Sequence, residues 1–462
     1  MPELPIEDFN RILGSEFVIS DEEIRKNYGS DETEDLCFPP SLVLKPSSTE
    51  EVSEIMKLCT EHQIPVTPIG ARTGLSGGAL SIKGGVGLSM ERFNRILEID
   101  EDNFQACVEP GVINQVFQEA VKEKGLFYPP DPASWGSCFL GGNVALNSGG
   151  PRAVKYGVTK DWILNLEVVL PSGEMIWTGA NTLKNSTGLN LTQLFVGSEG
   201  TLGVITKIIT SLIAKPKLDM LMLVPFHSAE QACEAVPEIF RAGLRPSAME
   251  FMERDAIDWT IDFIDENLLD VAPHVQAHLL IELDGTEEAQ LISECEKIMT
   301  VLEAFDTDEI LFADSAAQKE SLWKLRRRVG EAVKANSVYK EEDTVVPRYE
   351  MPKLLTGVKE IGARYGFKSV CYGHVGDGNL HVNIIKADMP EERWNNELPK
   401  AIREIFQLCK DLGGTISGEH GIGYVQKDYM DVVFTQTEIE LQKSIMKVFD
   451  PHGIMNPGKV FR

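Results

Sequence analysis

The stretch Cys371-Tyr-Gly-His-Val-Gly-Asp-Gly-Asn-Leu-His-Val-Asn383 predicts a β-hairpin, because a Gly-Asp-Gly-Asn core separates two short strand-like runs. If the turn is centred on that core, His374 and His381 face each other across the strands, with Cβ atoms about 4.5–5.5 Å apart. Two imidazoles so placed can bind one metal ion, and Asn383 lies on the same face. A hairpin whose histidines only cap exposed backbone is the alternative interpretation.

Composition narrows the class of protein. A chain of 462 residues predicts two or three domains, and 43% hydrophobic with 25% charged residues is typical of an ordinary soluble protein. The net charge of −27 argues against nucleic acid or an anionic membrane as the main partner. The acidic residues are spread along the chain, so a solvated surface explains them.

Cysteine usage and the N-terminal segment indicate the compartment. The eight cysteines form no Cys-x-x-Cys pair, which argues against a zinc ribbon, an iron–sulfur cluster or a dithiol redox site. No signal-peptide pattern follows Met1, and no apolar run of about 18 residues is present. We expect a cytoplasmic protein with reduced thiols, and peripheral attachment to the inner face of the membrane is left open.

The domain order is predicted from changes in composition and in the pattern of strands and helices along the sequence. We predict a helical lead-in at 1–38, a first domain at 39–215 with recurrent Gly/Ser loops, and a boundary at Lys215-Pro-Lys217. Residues 216–440 alternate strands and helices, which predicts one antiparallel or mixed sheet with helices on one face. Residues 441–462 are expected to return to the first domain. The fold class is α+β.

The loop Gly70-Ala-Arg-Thr-Gly-Leu-Ser-Gly-Gly78 has the composition of an anion cradle, with backbone N–H groups and hydroxyls as donors. It matches neither the P-loop nor the Rossmann glycine pattern. A plain glycine turn explains it about as well. A second glycine-rich stretch spans Gly136–Gly150, and the two together suit a large phosphate-bearing ligand.

The turn Gly418-Glu419-His420-Gly421 presents two functional side chains from between glycines. Glu419 can supply the third ligand that the His374/His381 pair lacks, and two His with one carboxylate is typical of a catalytic metal site. His420 is then available as a general base, because its pKa lies near neutrality. An unrelated turn is the alternative.

A carboxylate-bearing substrate has two candidate clamps. Arg326 lies on a helix predicted at about Ala316–Ala335, and Lys340 follows that helix. The competing interpretation of Arg326–Arg328 is a solvated basic helix face. A redox-inert ion cannot accept electrons, so oxidation would need an organic acceptor held by the glycine loops.

In combination these motifs resemble the FAD-linked oxidase family related to vanillyl-alcohol oxidase, in the branch of D-lactate, glycolate and D-2-hydroxyglutarate dehydrogenases. The resemblance runs from about Pro39 to the C-terminus. It implies a two-domain FAD-binding fold of the vanillyl-alcohol oxidase (PCMH) type with an α+β substrate (cap) domain. The flavin contacts it implies are Pro68, Gly70, Thr73, Gly74, Leu75, Gly77, Gly78, Pro130, Asp131, Ser134, Gly136, Ser137, Gly141, Gly142, Asn143, Gly149, Gly150, Tyr156, Gly157, Gly203, Val204, Ile205 and Asn456.

The resemblance also implies roles at the reaction site. It implies His374, His381 and Glu419 as metal ligands, with zinc expected although manganese and iron fit the same ligands. It implies His420 as the base that takes the hydroxyl proton while hydride moves to flavin N5. Trp323-x-x-Arg326 matches the carboxylate-binding helix of the family, and Asn383 and Lys340 match further substrate-side positions. The loop Arg72–Gly78 has no His for a covalent flavin bond, so noncovalent FAD is implied.

The activity implied is oxidation of a small D-2-hydroxy acid, of the D-lactate or glycolate type. Gly330 stands where D-2-hydroxyglutarate dehydrogenases tend to carry Thr, which disfavours that alternative. A non-redox enzyme of the alkyl-dihydroxyacetone-phosphate synthase type and a flavoprotein without a working substrate site are the rivals. The expected electron acceptor is an electron-transfer flavoprotein, a quinone or a separate iron–sulfur subunit. A homodimer is left open.

Overall fold

The computed structural model describes residues 4–33, 36–264 and 269–462. The chain forms two compact units: Met1–Gly149, Val158–Lys215 and Glu419–Arg462 form the first unit, and Gly150–Gly157 and Pro216–Gly418 form the second. The sequence places the return to the first domain at residue 441, whereas the first unit resumes at Glu419. Part of the predicted lead-in, at residues 1–3, 34 and 35, lies outside the described residues.

The first unit contains a mixed and an antiparallel sheet. The mixed sheet has four strands, in the order Val18–Ile19, Leu42–Leu44, Val86–Ser89 and Val66–Ile69, and the last three are parallel. The antiparallel sheet has five, in the order Ile96–Asp100, Gln105–Val108, Val204–Ser211, Ile163–Val169 and Met175–Trp177, and Leu126–Phe127 pairs separately with Ile213–Ala214. The helices are Ile6–Leu13, Glu22–Lys26, Thr49–Glu61, Asn114–Glu123, Leu140–Leu146, Leu191–Phe195, Met430–Val433 and Gln436–Phe449, with 3-10 turns at Ser15–Phe17, Thr159–Asp161 and Lys427–Tyr429.

The mixed sheet is covered by the helix Thr49–Glu61. Ser48 begins it, because the Ser48 side chain accepts a hydrogen bond from the Glu51 N–H. Its buried face carries Val52, Ile55, Met56 and Cys59, at the spacing of an amphipathic helix. The C-terminal segment joins the same core, since Val66 forms a parallel bridge with Met455.

The second unit is built on one antiparallel sheet of seven strands. Their order is Leu311–Phe312, Leu218–Phe226, Ala277–Gly285, Ala248–Glu253, Lys368–Gly373, Asn379–Ile385 and Tyr339–Val345. The helices are Ala153–Tyr156, Ala229–Arg241, Arg254–Ile264, Glu288–Leu302, Ala316–Arg327, Val329–Asn336, Met351–Tyr365, Glu391–Asn396 and Leu398–Asp411, with a 3-10 turn at Arg348–Glu350.

Helices cover both faces of this sheet, so the expectation of helices on one face was wrong. Met252 packs in one core with Ile257 of the helix Arg254–Ile264. The next residue, Glu253, points to the other face and binds Lys359 of the helix Met351–Tyr365. The physical reason is visible in the strand Ala248–Glu253, which is buried at every position and so needs cover on both sides.

The helix predicted at Ala316–Ala335 is divided in two. Ala316–Arg327 and Val329–Asn336 meet at Arg328, where φ is −90° and ψ is 2°. Leu325 and Val329, on either side of that bend, are buried in the same core. Among the described residues, none of the helices has both the length and the apolar character that crossing a bilayer requires.

Candidate functional site

The hairpin predicted around His374 and His381 is present, but its register differs from the expectation. The strands Lys368–Gly373 and Asn379–Ile385 pair so that His381 lies opposite Tyr372, and His374 lies in the turn. The direct opposition of the two histidines was therefore wrong, because residues 374–378 form a wide turn closed by the Asn379 N–H donating to His374 O (3.2 Å). The two imidazole rings are still neighbours, with centroids 5.4 Å apart and planes inclined by 83°.

His374 is held by a buried carboxylate. Its Nδ1 donates to Glu250 Oε1 over 2.8 Å, and Glu250 is fully buried. Because Nδ1 carries the proton in this bond, the lone pair that could bind a metal is that of Nε2. A metal-binding histidine is usually oriented in this way, by a carboxylate that accepts the hydrogen bond from its other ring nitrogen.

Glu250 also pairs with Arg326. Arg326 Nη2 lies 2.6 Å from Glu250 Oε2, and Arg326 is 5% exposed. The guanidinium also lies over the Tyr372 ring, 5.0 Å from its centroid. The alternative of a solvated helix face is therefore wrong for Arg326. Its buried Nε has no hydrogen-bond partner within the part of the chain that the structure describes.

The edge strand Tyr339–Val345 divides its side chains between the two faces of the sheet. Glu341 and Asp343 lie opposite Asn383 and His381, so they share the face of those residues. Asn383 is fully buried, and its Nδ2 donates a hydrogen bond to Val370 O over 3.3 Å. Burial raises the pKa of Tyr372. Lys340 lies on the opposite face of the sheet. This register therefore predicts no direct contact between Lys340 and a substrate bound beside His381.

Asp343 anchors the end of the second unit. Its Oδ2 accepts hydrogen bonds from the Gly418 N–H (2.7 Å) and from Ser417 Oγ (3.0 Å), and its Oδ1 accepts one from Asn379 Nδ2 (2.7 Å). Asp343 is 2% exposed, and Glu419 follows Gly418 directly in the chain. Sequence reasoning missed this residue, although three consecutive acidic residues in a strand are an unusual pattern that could have drawn attention to it.

The first unit contains a long cleft lined by its glycine loops, with an empty volume of about 1390 Å³ including the part open to solvent. A Cβ added to Gly142 would meet no protein atom within 4 Å, so this backbone borders open space. The buried Ser76 Oγ has no hydrogen-bond partner among the described residues. The predicted flavin contacts that line the cleft are Pro68, Gly70, Thr73, Gly74, Leu75, Gly78, Ser134, Gly141, Gly142, Asn143, Gly203, Val204 and Ile205.

The other predicted flavin contacts lie outside that lining. Gly77, Pro130, Asp131, Gly136, Ser137, Gly149 and Asn456 belong to the first unit but do not line the cleft, and Gly150, Tyr156 and Gly157 belong to the second unit. The Tyr156 hydroxyl donates to Asp284 Oδ2 over 2.7 Å, within the second unit. Asn456 supports the loop from outside, because its Nδ2 donates to Gly78 O over 3.0 Å.

Lys459 is a second support of the glycine loop. Its Nζ donates to Gly78 O (3.1 Å), Leu80 O (2.6 Å) and Asn456 Oδ1 (2.8 Å). Burial lowers the pKa of Lys459 to about 7, against the attraction of Glu199 and Asp31. Nothing in the sequence around Lys459 distinguishes it from a surface lysine, so it was missed.

Glu419 and His420 line the same cleft of the first unit. The segment after them is held by Glu199, whose two carboxylate oxygens accept hydrogen bonds from the Ile422 N–H (2.8 Å) and the Gly423 N–H (2.7 Å). Burial raises the pKa of Glu199, while these two donors lower it. His374, His381, Arg326 and Asn383 belong to the second unit.

Both parts of the chain match known protein families. Residues 40–179 match the FAD binding domain model, and residues 215–460 match the model of FAD linked oxidases, C-terminal domain. The chain is 38% identical over 465 residues to D-lactate dehydrogenase of Anaerostipes hadrus, covering 99% of this chain and 97% of that protein. It is also 38% identical over 442 residues to glycolate oxidase subunit GlcD of Bacillus subtilis, covering 94% and 92%.

Solved structures share the architecture at low identity. p-Cresol methylhydroxylase superposes with a TM-score of 0.80 at 18% identity, over 98% of this chain and 96% of that one. That likeness concerns the fold alone. Together with the FAD binding domain match at residues 40–179, it confirms the predicted α+β architecture with an FAD-binding domain of the vanillyl-alcohol oxidase (PCMH) type.

Proposed function

The chain belongs to the FAD-linked oxidases and is an FAD-dependent oxidoreductase, and on that premise we propose that it oxidises a small D-2-hydroxy acid to the 2-oxo acid. D-lactate and glycolate are the substrate types proposed, since relatives at 38% identity bear the names D-lactate dehydrogenase and glycolate oxidase subunit.

The observation that carries the proposal is the bridging of Arg326 and His374 by Glu250. Their atoms lie 2.6 Å and 2.8 Å from the Glu250 oxygens, so a carboxylate-binding group and an imidazole sit side by side. The buried Arg326 Nε makes no hydrogen bond to any described residue, and a buried donor of this kind is costly without an acceptor. A substrate carboxylate is such an acceptor, and it suits the planar guanidinium.

We assign His374, His381 and Glu419 as ligands of a divalent metal, with zinc expected and manganese or iron fitting the same donors. The donor set supports this, because the two imidazoles are neighbours and Glu250 orients one of them. The bond from the Gly418 N–H to Asp343 fixes the backbone directly before Glu419. A metal held there would lower the pKa of the substrate hydroxyl.

His420 is assigned as the general base, which takes the hydroxyl proton onto its imidazole. Arg326 orients the carboxylate during that step, and Asn383 lies on the same face of the sheet as His381. FAD, when bound in the cleft, supplies the acceptor for the hydride from Cα. The open space at Gly142 and the buried Ser76 hydroxyl suit a cofactor in that cleft. No His occurs in the cleft-lining loop Arg72–Gly78, which supports noncovalent binding.

Reoxidation is assigned to a separate electron carrier: an electron-transfer flavoprotein, a quinone or an iron–sulfur subunit. The scattered cysteines, with no Cys-x-x-Cys pair in the sequence, support an acceptor outside this chain.

Anaerobic bleaching of the flavin absorbance tests the proposed reaction. We expect rapid bleaching by D-lactate or glycolate, much less by L-lactate and D-2-hydroxyglutarate, and loss of bleaching after chelation. Arg326→Lys should raise the substrate concentration needed for half-maximal bleaching at least tenfold. The neighbouring exposed Arg327→Lys is the matched control and should behave as the parent. Failure of both D-lactate and glycolate to bleach protein that holds FAD and metal would overturn the proposal.

A further inference from the structure

A second group of metal-binding side chains lies at one end of the seven-stranded sheet, among residues of the second unit. His227 Nε2 lies 2.9 Å from Asp308 Oδ1, and His274 Nε2 lies 2.8 Å from Asp308 Oδ2. The two imidazole rings are perpendicular, with centroids 4.7 Å apart. Both nitrogens are therefore directed at one carboxylate.

The backbone holds these three side chains in place. His227 follows the strand Leu218–Phe226 directly, and His274 precedes the strand Ala277–Gly285, whose Ala277 pairs with Phe226. Thr307 forms a bridge with Phe226, and the Asp308 N–H donates to Pro225 O over 3.1 Å. Three segments that are distant in sequence therefore lie side by side, and each carries one of the three side chains.

We propose that His227, His274 and Asp308 form a binding site for a divalent transition-metal ion of the Zn²⁺ type. Two imidazole nitrogens and one carboxylate oxygen are the donors such an ion prefers, and bonds of about 2.0–2.2 Å to tetrahedral zinc place neighbouring donors roughly 3.3–3.5 Å apart. The present nitrogen–oxygen separations of 2.8 to 3.1 Å need to open by only a few tenths of an ångström. On binding, each imidazole coordinates the ion through the Nε2 lone pair and keeps one proton on Nδ1. A neutral ring moves its proton from Nε2 to Nδ1 by exchange with water, and a doubly protonated ring releases the Nε2 proton to solvent.

The surroundings favour an exchangeable ion. The side chains of His227, His274 and Asp308 are 39%, 56% and 36% exposed, so they can shift and water can supply the remaining ligand. A net charge of −27 also favours a cation over an anion. This site shares no residue with the proposed reaction site, and an ion here ties three segments together without taking part in oxidation.

Equilibrium dialysis of the FAD-loaded enzyme against Zn²⁺, followed by metal analysis, tests the proposal. His274→Gln and Asp308→Asn should each bind one zinc ion per chain less than the parent. His62→Gln removes an exposed histidine outside the cluster and is the matched control. It should bind zinc as the parent does. Zinc should also raise the unfolding temperature of the parent and of His62→Gln more than that of the two cluster variants.

Equal zinc binding by the parent and both cluster variants would overturn the proposal. The three residues would then form only a hydrogen-bonded surface group. Because all variants keep His374, His381 and Glu419, zinc at the proposed reaction site contributes equally to every count and cancels in the comparison.

Discussion

Glu250 accepts a hydrogen bond from His374 Nδ1 across 2.8 Å, although the two residues are 124 positions apart in the sequence. They meet because the strand Ala248–Glu253 pairs with the strand Lys368–Gly373 that leads to His374. The same carboxylate neutralises Arg326. One buried charge thus controls the proton position on an imidazole and compensates a guanidinium.

Glu250→Gln should destabilise the protein and weaken metal binding. The amide keeps a hydrogen-bond acceptor for His374 but leaves Arg326 as an uncompensated buried cation, which costs about 3–5 kcal/mol of unfolding free energy. Loss of the carboxylate that hydrogen-bonds a metal-binding histidine typically lowers metal affinity about 10–100-fold. Urea unfolding and metal titration measure the two effects, and the exposed Glu234→Gln is the control. Parental metal affinity in Glu250→Gln would contradict the role given to this carboxylate.

Glu199→Gln should displace the segment that follows His420. Both carboxylate oxygens accept backbone N–H groups, and an amide can accept only one of them, so one buried donor loses its partner at a cost of about 1–3 kcal/mol. We expect a lower rate of flavin reduction at saturating substrate, with FAD retained. Rapid-mixing absorbance measures that rate, and an unchanged rate would show that Glu199 does not position His420.

The contribution of Lys459 to stability should rise with pH above neutrality. Burial lowers its pKa to about 7 from an ordinary 10.5, so between those values the unfolded chain binds more protons than the folded one. This contribution to the free energy of unfolding increases with pH in that window, by at most about 1.4 kcal/mol per pH unit. The urea midpoint of the parent should therefore rise from pH 7 to 10 relative to that of Lys459→Met, in which the buried cysteines titrate in the same way. Parallel profiles would show that Lys459 keeps an ordinary pKa.

Lys340 and Asn383 make a matched pair, because they occupy opposite faces of adjacent strands. Lys340→Met should leave substrate-driven flavin reduction near the parental rate. Asn383→Ala should slow it at least tenfold, since it removes a fully buried amide from the face of the sheet that carries His381. Equal losses in the two variants would mean that the strand register does not decide which residue reaches the substrate.

The local motifs could be predicted from the sequence, and the long-range partners could not. The hairpin around His381 and the cleft-lining glycine loops could be predicted from composition, because tight turns and close backbone approach need glycine. The wide turn at His374 was not predictable, since it depends on space: a Cβ on Gly378 would lie 2.0 Å from Val346 O. Glu250 was missed because an isolated acidic residue reveals nothing of what it meets after folding. Asp343 belongs to an acidic run, but its partners Asn379 and Gly418 are brought to it only by the fold.

The strand Val66–Ile69 leads into the loop Gly70–Gly78, and it is bordered by the far end of the chain. The Val66 N–H donates to Ile454 O and the Asn456 N–H donates to Val66 O, over 2.8 Å and 2.7 Å. The first unit therefore needs residues from the far end of the chain to complete this sheet edge, whereas the residues of the second unit are all present from residue 418. We expect cofactor capture to be a late event in biogenesis, and premature termination near residue 450 to leave the first unit without this border.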